Sequence, residues 1–94
     1  MRRYAAKVDA NQNTIVSGLR QIFGPDCVFI LSTVGSGMTD IIVGVRGQNI
    51  LLEIKTDRGK LTPDQQIFHK VWPGQVDIVH TLEEALKVIE RMTT

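Results

Sequence analysis

The segment from Asp40 to Lys55 constrains the fold most, because apolar residues alternate along it on both sides of a glycine. A two-residue turn at Gly47-Gln48 would be of type II′, whose first position requires a positive φ. In that β-hairpin, Val45 pairs with Ile50 and Asp40 lies beside Lys55. Side chains alternate between the two faces of a strand, so six apolar residues share one face. These are Ile41, Val43, Val45, Ile50, Leu52 and Ile54.

The opposite face of this hairpin carries Asp40, Glu53 and Lys55. Two neighbouring carboxylates repel each other unless a cation lies between them, and Mg²⁺ is typically held by one or two carboxylates together with substrate phosphate. A lysine beside them can contact a scissile phosphate and stabilise the charge that develops on it. The pattern therefore indicates metal-assisted phosphodiester hydrolysis. The alternative is an ion pair at the base of the hairpin.

Helical and strand patterns flank the hairpin. Apolar residues at helical spacing follow a cap at Asp9 or Asn11 and end at Gly24-Pro25. The apolar run from Cys27 to Leu31 is too short for a helix and predicts a buried strand. The short loop 32–37 lacks the lysine and hydroxyl residue of a phosphate-binding P-loop, so no nucleotide cofactor is expected.

Two capping boxes predict two further helices, one beginning after Thr62 and one after Thr81. A strand over 76–80 separates them. The order αβββαβα predicts an α/β fold in which a mixed four-stranded sheet is flanked by helices. The expected inward residues are Ile67, Phe68, Val71 and Trp72 in the first of these helices, and Leu82, Ala85, Leu86, Val88 and Ile89 in the second.

A family resemblance spans the chain from about Asp9 to Leu86. The run Gly37-Met38-Thr39-Asp40, then Glu53-Ile54-Lys55, then the segment from Gly59 to Gln65 resembles the VRR-NUC (virus-type replication-repair nuclease) branch of the PD-(D/E)XK nucleases, in its small stand-alone phage or bacterial type. The resemblance implies the restriction-endonuclease-like core, whose element order is the one predicted above. It also implies that Asp40, Glu53 and the backbone carbonyl of Ile54 hold the metal, that Lys55 is catalytic, and that Gln65 lies at the active site.

One position departs from the family pattern. Many relatives place a metal-facing glutamate on the first helix, whereas the matching position here is Gln12, and no glutamate precedes Glu53. An amide oxygen binds metal more weakly than a carboxylate, so Gln12 is a possible ligand only. This departure motivates an alternative, a nucleic-acid-binding subunit that kept the fold and lost catalysis.

Basic residues near this site suit a DNA backbone. The net charge is only +1, but the cations are unevenly distributed. We expect DNA contacts from a basic N-terminal arm over residues 1–8, from the loop before Asp40, and from the segment after Lys55. The candidate residues are Arg2, Arg3, Lys7, Ser36, Arg58 and Lys60.

The length of 94 residues, with 43% apolar and 22% charged residues, predicts one globular domain. No apolar run approaches membrane-spanning length, and the single cysteine, Cys27, predicts a reducing compartment, the bacterial or phage-infected cytoplasm. We interpret His69, on the outer side of its helix, and His80 as structural residues. Phe68 and Trp72 are interpreted as core or subunit-contact residues.

Together these features predict an endonuclease that uses Mg²⁺, with Mn²⁺ able to substitute, and that acts on DNA as a homodimer. Stand-alone relatives resemble branched-DNA resolvases, so the resemblance implies branched or junction DNA as the substrate. A third reading, from another class, is an α/β adaptor for protein interaction in which the charged residues form an ion-pair network.

Overall fold

The structure is a computed structural model that describes the backbone of residues 3–56 and 59–94 and the side chains of residues 11–56 and 59–94. Three helices and four strands are present in these ranges, in the order αβββαβα. They are α1 (Arg3–Phe23), β1 (Val28–Ile30), β2 (Ile41–Val45), β3 (Gln48–Ile54), α2 (Pro63–Val71), β4 (Val76–Val79) and α3 (Leu82–Thr93).

The four strands form one sheet in the order β1-β2-β3-β4. The pairs β1/β2 and β2/β3 are antiparallel, whereas β3 and β4 are parallel and are connected through α2. The sheet is therefore mixed and is flanked by helices, and the predicted fold class is confirmed.

The turn of the β2–β3 hairpin lies at Arg46-Gly47, one residue earlier than predicted. Val45 pairs with Gln48, and both turn residues have positive φ, 55° and 78°, as a type I′ turn requires. Arg46 tolerates this conformation while its guanidinium donates to Thr93 Oγ1 at the end of α3, at 2.6 Å. The predicted type II′ turn and its pairs are wrong, and Ile50 pairs with Val43 instead of Val45.

The predicted apolar face survives this correction, because moving the turn by one residue shifts every pair by two and leaves each side chain on its face. All six predicted residues of the hairpin face belong to the main core. Helices α1 and α3 cover them with buried hydrophobic residues, which are Ile15, Val16, Leu19, Ala85, Val88 and Ile89. None of the helices in the described ranges is both long and apolar enough to cross a membrane.

The first helix and the first strand differ from the prediction. Helix α1 begins at Arg3 and not at a cap near Asp9, so the backbone of the predicted basic arm is helical from Arg3 onward. Strand β1 is not a buried strand, since Phe29 is 73% and Ile30 is 44% exposed. The reason is that β1 lies at the edge of the sheet and pairs with β2 alone.

Helix α2 begins as predicted but packs differently. Thr62 Oγ1 accepts from Gln65 N, and Gln65 Oε1 accepts from Thr62 N, so the capping box is complete. The helix has no buried residue, however, and Ile67, Val71 and Trp72 are exposed. The prediction that these residues point inward is wrong, because α2 meets the sheet at a polar cluster around Glu53.

Candidate active site

Asp40 and Glu53 are brought together by the hairpin register. Ile41 pairs with Leu52, so Asp40 lies across from Glu53 and not beside Lys55 as predicted. Asp40 Oδ2 accepts a hydrogen bond from the backbone N–H of Ile54 at 2.7 Å. This bond fixes the Asp40 carboxylate at the edge of β3.

A cavity of about 340 Å³ opens at this point of the sheet. Its lining contains each side chain predicted to be catalytic, together with Ile54, whose carbonyl was the predicted third ligand. The lining residues are Asn11, Asp40, Glu53, Ile54, Lys55, Thr56, Gly59 and Gln65. The cavity therefore brings together residues of α1, β3 and α2, the residue before β2 and the residues after β3.

Glu53 is the most buried charged residue of the cavity, with 1% of its surface exposed. Gln65 Nε2 donates to Glu53 Oε2 at 3.1 Å, and the capping box holds the Gln65 amide in this orientation. Lys55 Nζ lies 3.9 Å from the same oxygen, which is too far for a hydrogen bond. Within the described residues, Glu53 Oε1 is buried and has no hydrogen-bond partner.

The environment of Glu53 disfavours its charged form. Burial is the largest cause, followed by hydrogen bonding to Asp40 and the charge of Asp40, and together these raise the pKa of Glu53 to about 8. The positive charge of Lys55 acts in the opposite direction and is too weak to compensate. An ion-pair network built for stability would leave this carboxyl group with a normal or lowered pKa.

His69 also faces this site, although the sequence placed it on the outer side of its helix. Its Nε2 lies 3.7 Å from Glu53 Oε1, and its side chain is 13% exposed. Burial is the main cause that lowers the pKa of His69. The predicted placement of His69 on the outer side of its helix is therefore wrong. Helical spacing carried the missed signal, because a residue four positions after Gln65 lies on the same helix face.

Gln12 is buried, and its Oε1 accepts a hydrogen bond from Ser32 Oγ at 2.9 Å. Among the α1 side chains that the structure describes, its neighbour Asn11 lines the cavity, and Asn11 Nδ2 lies 3.5 Å from the carbonyl oxygen of His80. Reasoning from the sequence missed Asn11, and no pattern in the chain distinguishes it from Gln12. His80 itself contacts Glu84 through Nδ1 at 2.8 Å.

The predicted DNA-binding residues are described only in part. Lys60 and Ser36 are exposed, and Ser36 has a positive φ of 57° in the loop before Asp40. Arg2 and Arg58 lie outside the described residues, as do the side chains of Arg3 and Lys7.

The donors at the cavity suit a hard divalent cation. Across residues 11–56 and 59–94, no cluster of three or more His, Cys, Asp or Glu side chains is arranged to hold a metal ion. Mg²⁺ needs fewer protein ligands, since it keeps several waters and is commonly held by one or two carboxylates plus a phosphate. A cation between Asp40 and Glu53 would also remove the repulsion that raises the pKa of Glu53. The residues present therefore fit such an ion.

In comparisons with known proteins, no family model, no curated protein and no solved structure matches the chain.

Proposed function

We propose that this chain is a Mg²⁺-dependent endonuclease that hydrolyses phosphodiester bonds of branched DNA, with Mn²⁺ able to replace Mg²⁺. The observation that carries the proposal is the contact between Asp40 and the buried Glu53 in a cavity that Lys55 and Gln65 also line. Two acids forced together, at a cost to the charged state, are expected where a cation and a phosphate bind.

In the proposed reaction, separate residues bind the metal ion, stabilise charge on the phosphate and orient Glu53. Asp40, Glu53 and the carbonyl of Ile54 would hold the ion, which when bound neutralises phosphate charge and activates water. Lys55 contributes a positive charge toward the phosphate and stabilises the charge that develops during hydrolysis. Gln65 keeps the Glu53 carboxylate oriented toward the cavity through its 3.1 Å hydrogen bond.

The DNA surface of the proposal extends outward from the cavity. Ser36 and Lys60 are exposed and belong to the two loops that follow β1 and β3. We propose that these two residues contact the DNA backbone; the other candidates, Arg2, Arg3, Lys7 and Arg58, lie outside the described side chains. Such contacts are electrostatic and predict binding that weakens steeply with salt.

A cleavage assay tests the proposal. Linear, flap, fork and four-way DNA are incubated with the protein in Mg²⁺ or Mn²⁺, beside Asp40→Asn and Glu53→Gln as loss-of-function variants. Glu83→Gln is the matched control, because Glu83 is an exposed carboxylate in the first turn of α3. Cleavage that is lost in both site variants and kept in the control supports the enzyme. Cleavage that persists in both site variants refutes it.

Two alternatives give other results in a calorimetric titration with Mn²⁺ and DNA. A nucleic-acid-binding subunit without catalysis would bind DNA and cut none of the substrates. An adaptor protein would bind neither ligand, and its Asp40→Asn variant would show the same heat of Mn²⁺ addition as the wild type.

We also propose that the active form is a homodimer. The supporting observation is the outer face of α2, where Ile67, Val71 and Trp72 are 60%, 66% and 41% exposed. A chain of this size leaves much apolar surface uncovered, and a two-fold contact buries such a patch against its own copy. Sedimentation at micromolar concentration should give a dimer, and Ile67→Gln with Val71→Gln should give a monomer. Ile22→Gln, on an exposed apolar residue of α1, is the control.

A further inference from the structure

The contact between His69 and Glu53 has features that a surface or core histidine does not show. Both Glu53 Oε1 and His69 Nε2 are buried, and neither has a hydrogen-bond partner among the described residues. The two atoms are 3.7 Å apart. Burying two polar atoms without a bond costs free energy, so their approach calls for a reason beyond packing.

Helix α2 places one polar side chain near each oxygen of the same carboxyl group. Gln65 donates to Oε2, and His69, one helical turn later, lies against Oε1. Oε2 is the oxygen nearer to Lys55, which lines the cavity, whereas Oε1 is covered by protein atoms. Two side chains of α2 therefore contact Glu53, Gln65 at Oε2 and His69 at Oε1.

Apolar packing does not explain the place of His69. Helix α2 has no buried residue, and its aliphatic side chains Ile67 and Val71 are exposed, whereas Phe68 is half-buried. If α2 only needed an anchor on the sheet, an aliphatic side chain at position 69 would provide one without burying an imidazole nitrogen. A polar residue in this position instead suits a carboxylate that must keep one orientation.

We propose that His69 is a positioning residue for Glu53 in the metal-loaded protein, where the present 3.7 Å separation closes, Nε2–H donates a hydrogen bond to Oε1, and Oε2 is held toward the cavity. This role rests on the proposed metal site, because it concerns the orientation of one of its carboxylates. A carboxylate that binds an ion is usually hydrogen-bonded through its remaining oxygen, and loss of that outer partner costs about 10- to 100-fold in metal affinity or activity.

Variants at position 69 separate a hydrogen bond from simple space filling. His69→Gln keeps an N–H donor near the position of Nε2, whereas His69→Leu fills the space without a donor. In calorimetric titration of folded protein with Mn²⁺, His69→Leu should bind about 10- to 100-fold more weakly than the wild type. His69→Gln should restore most of the affinity. His80→Leu is the control, because His80 contacts Glu84 and not the cavity.

Kinetics provide a second readout. At saturating Mn²⁺, His69→Leu should lower kcat and leave the KM for DNA close to the wild-type value, since the residue touches neither phosphate nor base. A residue that only stabilised α2 would instead give equal Mn²⁺ affinity for the leucine and glutamine variants once both are folded, and that result would overturn the role.

A measurement on the wild-type chain keeps the inference testable even if the leucine variant does not fold. The imidazole nitrogen-15 spectrum of His69 in the presence of Mg²⁺ should show the tautomer that is protonated at Nε2. The tautomer protonated only at Nδ1 would overturn the proposal, because it has no proton to donate to Oε1.

The failure of this inference differs from the failure of the proposed function. If Glu53→Gln abolishes Mn²⁺ binding while His69→Leu binds as tightly as the wild type, the metal site stands and the role of His69 is refuted. If the wild type and Glu53→Gln give the same Mn²⁺ titration, the metal site is refuted and the role of His69 falls with it.

Discussion

Replacing Glu53 with glutamine should stabilise the metal-free protein, and more so as the pH rises. The folded protein holds the Glu53 proton up to a pKa of about 8, whereas the unfolded chain releases it near 4.5. Unfolding between these two values therefore releases a proton, so the stability of the wild type falls as the pH rises from 4.5 to about 8. Glutamine cannot ionise and has no such dependence.

The size of the effect follows from the same two values. The interval from 4.5 to about 8 corresponds to about 5 kcal/mol at ~1.4 kcal/mol per pH unit. At pH 5 the ionisation of Glu53 in the unfolded chain costs the wild type only about 1 kcal/mol, and at pH 9 nearly the whole amount. The advantage of Glu53→Gln should grow by about 4 kcal/mol between these two pH values. Glu53 is 1% exposed, so solvent does not screen the effect.

The residues around Glu53 affect the stability difference between the wild type and Glu53→Gln only through their interaction with the Glu53 charge. Among the described residues, Asp40, Lys55 and His69 are the titratable groups that face Glu53, and Gln65 is its neutral partner. All of them are present in both proteins, so their own contributions cancel except where they couple to the Glu53 charge. The hydrogen bond from Gln65 is kept, because the amide oxygen of a glutamine at position 53 accepts it.

Urea unfolding followed by the fluorescence of Trp72 measures the difference. With an m-value of about 1.5 kcal/mol/M, 4 kcal/mol moves the midpoint by roughly 3 M. Glu83→Gln, at an exposed carboxylate, should follow the wild type at each pH. Parallel pH profiles for the wild type and Glu53→Gln would show that Glu53 ionises normally in the folded state, and the reasoning about its burial would be refuted.

Three further predictions concern Lys55, the two glycines of the loop before Asp40, and the two amide residues of α1. Lys55→Ala should lower kcat far more than Mn²⁺ affinity, because the proposed role of the ammonium is toward the phosphate. Calorimetry beside single-turnover kinetics checks this, and lost affinity with normal turnover would contradict it. Gly37→Ala should cost more stability than Gly35→Ala, by about 1–3 kcal/mol in urea unfolding. Both residues have a φ of 83°, but only at Gly37 would an added Cβ meet the backbone of α2, at 2.5 Å. Asn11→Asp should tighten Mn²⁺ binding and Gln12→Glu should not, because Asn11 lines the cavity whereas Gln12 is hydrogen-bonded to Ser32. Tighter Mn²⁺ binding in Gln12→Glu alone would reverse the two roles.

The sequence predicted the faces of the hairpin better than its pairs. Alternation has a period of two, so it determines which side chains lie together on a face but is unchanged when every pair shifts by two. The turn decides the pairs, and Arg46 was not expected to take a positive φ, which is uncommon for a residue other than glycine. The shift places Asp40 across from Glu53, whereas the predicted register placed it beside Lys55 on the same face.

Helix α2 shows why apolar spacing failed at the site. The capping box predicted where the helix begins, because that signal is local. The same spacing suggested that Ile67 and Val71 point inward, but what a helix buries depends on what it meets. Here α2 meets the Glu53 cluster, so Gln65 and His69 face the sheet, whereas Ile67 and Val71 are exposed. Nothing local in the sequence contains that tertiary information.

The stability of the fold and the chemistry of the site are linked through Glu53. The main core lies on one face of the sheet under α1 and α3, while α2 on the other face contributes Gln65 and His69 to the contacts of a buried acid. An apolar residue at position 53 would remove the cost of burying that acid and would pack against the same helix. A buried, poorly compensated acid in this position is therefore a feature that folding alone does not explain. A cation in the cavity would compensate it and would stabilise both the acid pair and the attachment of α2.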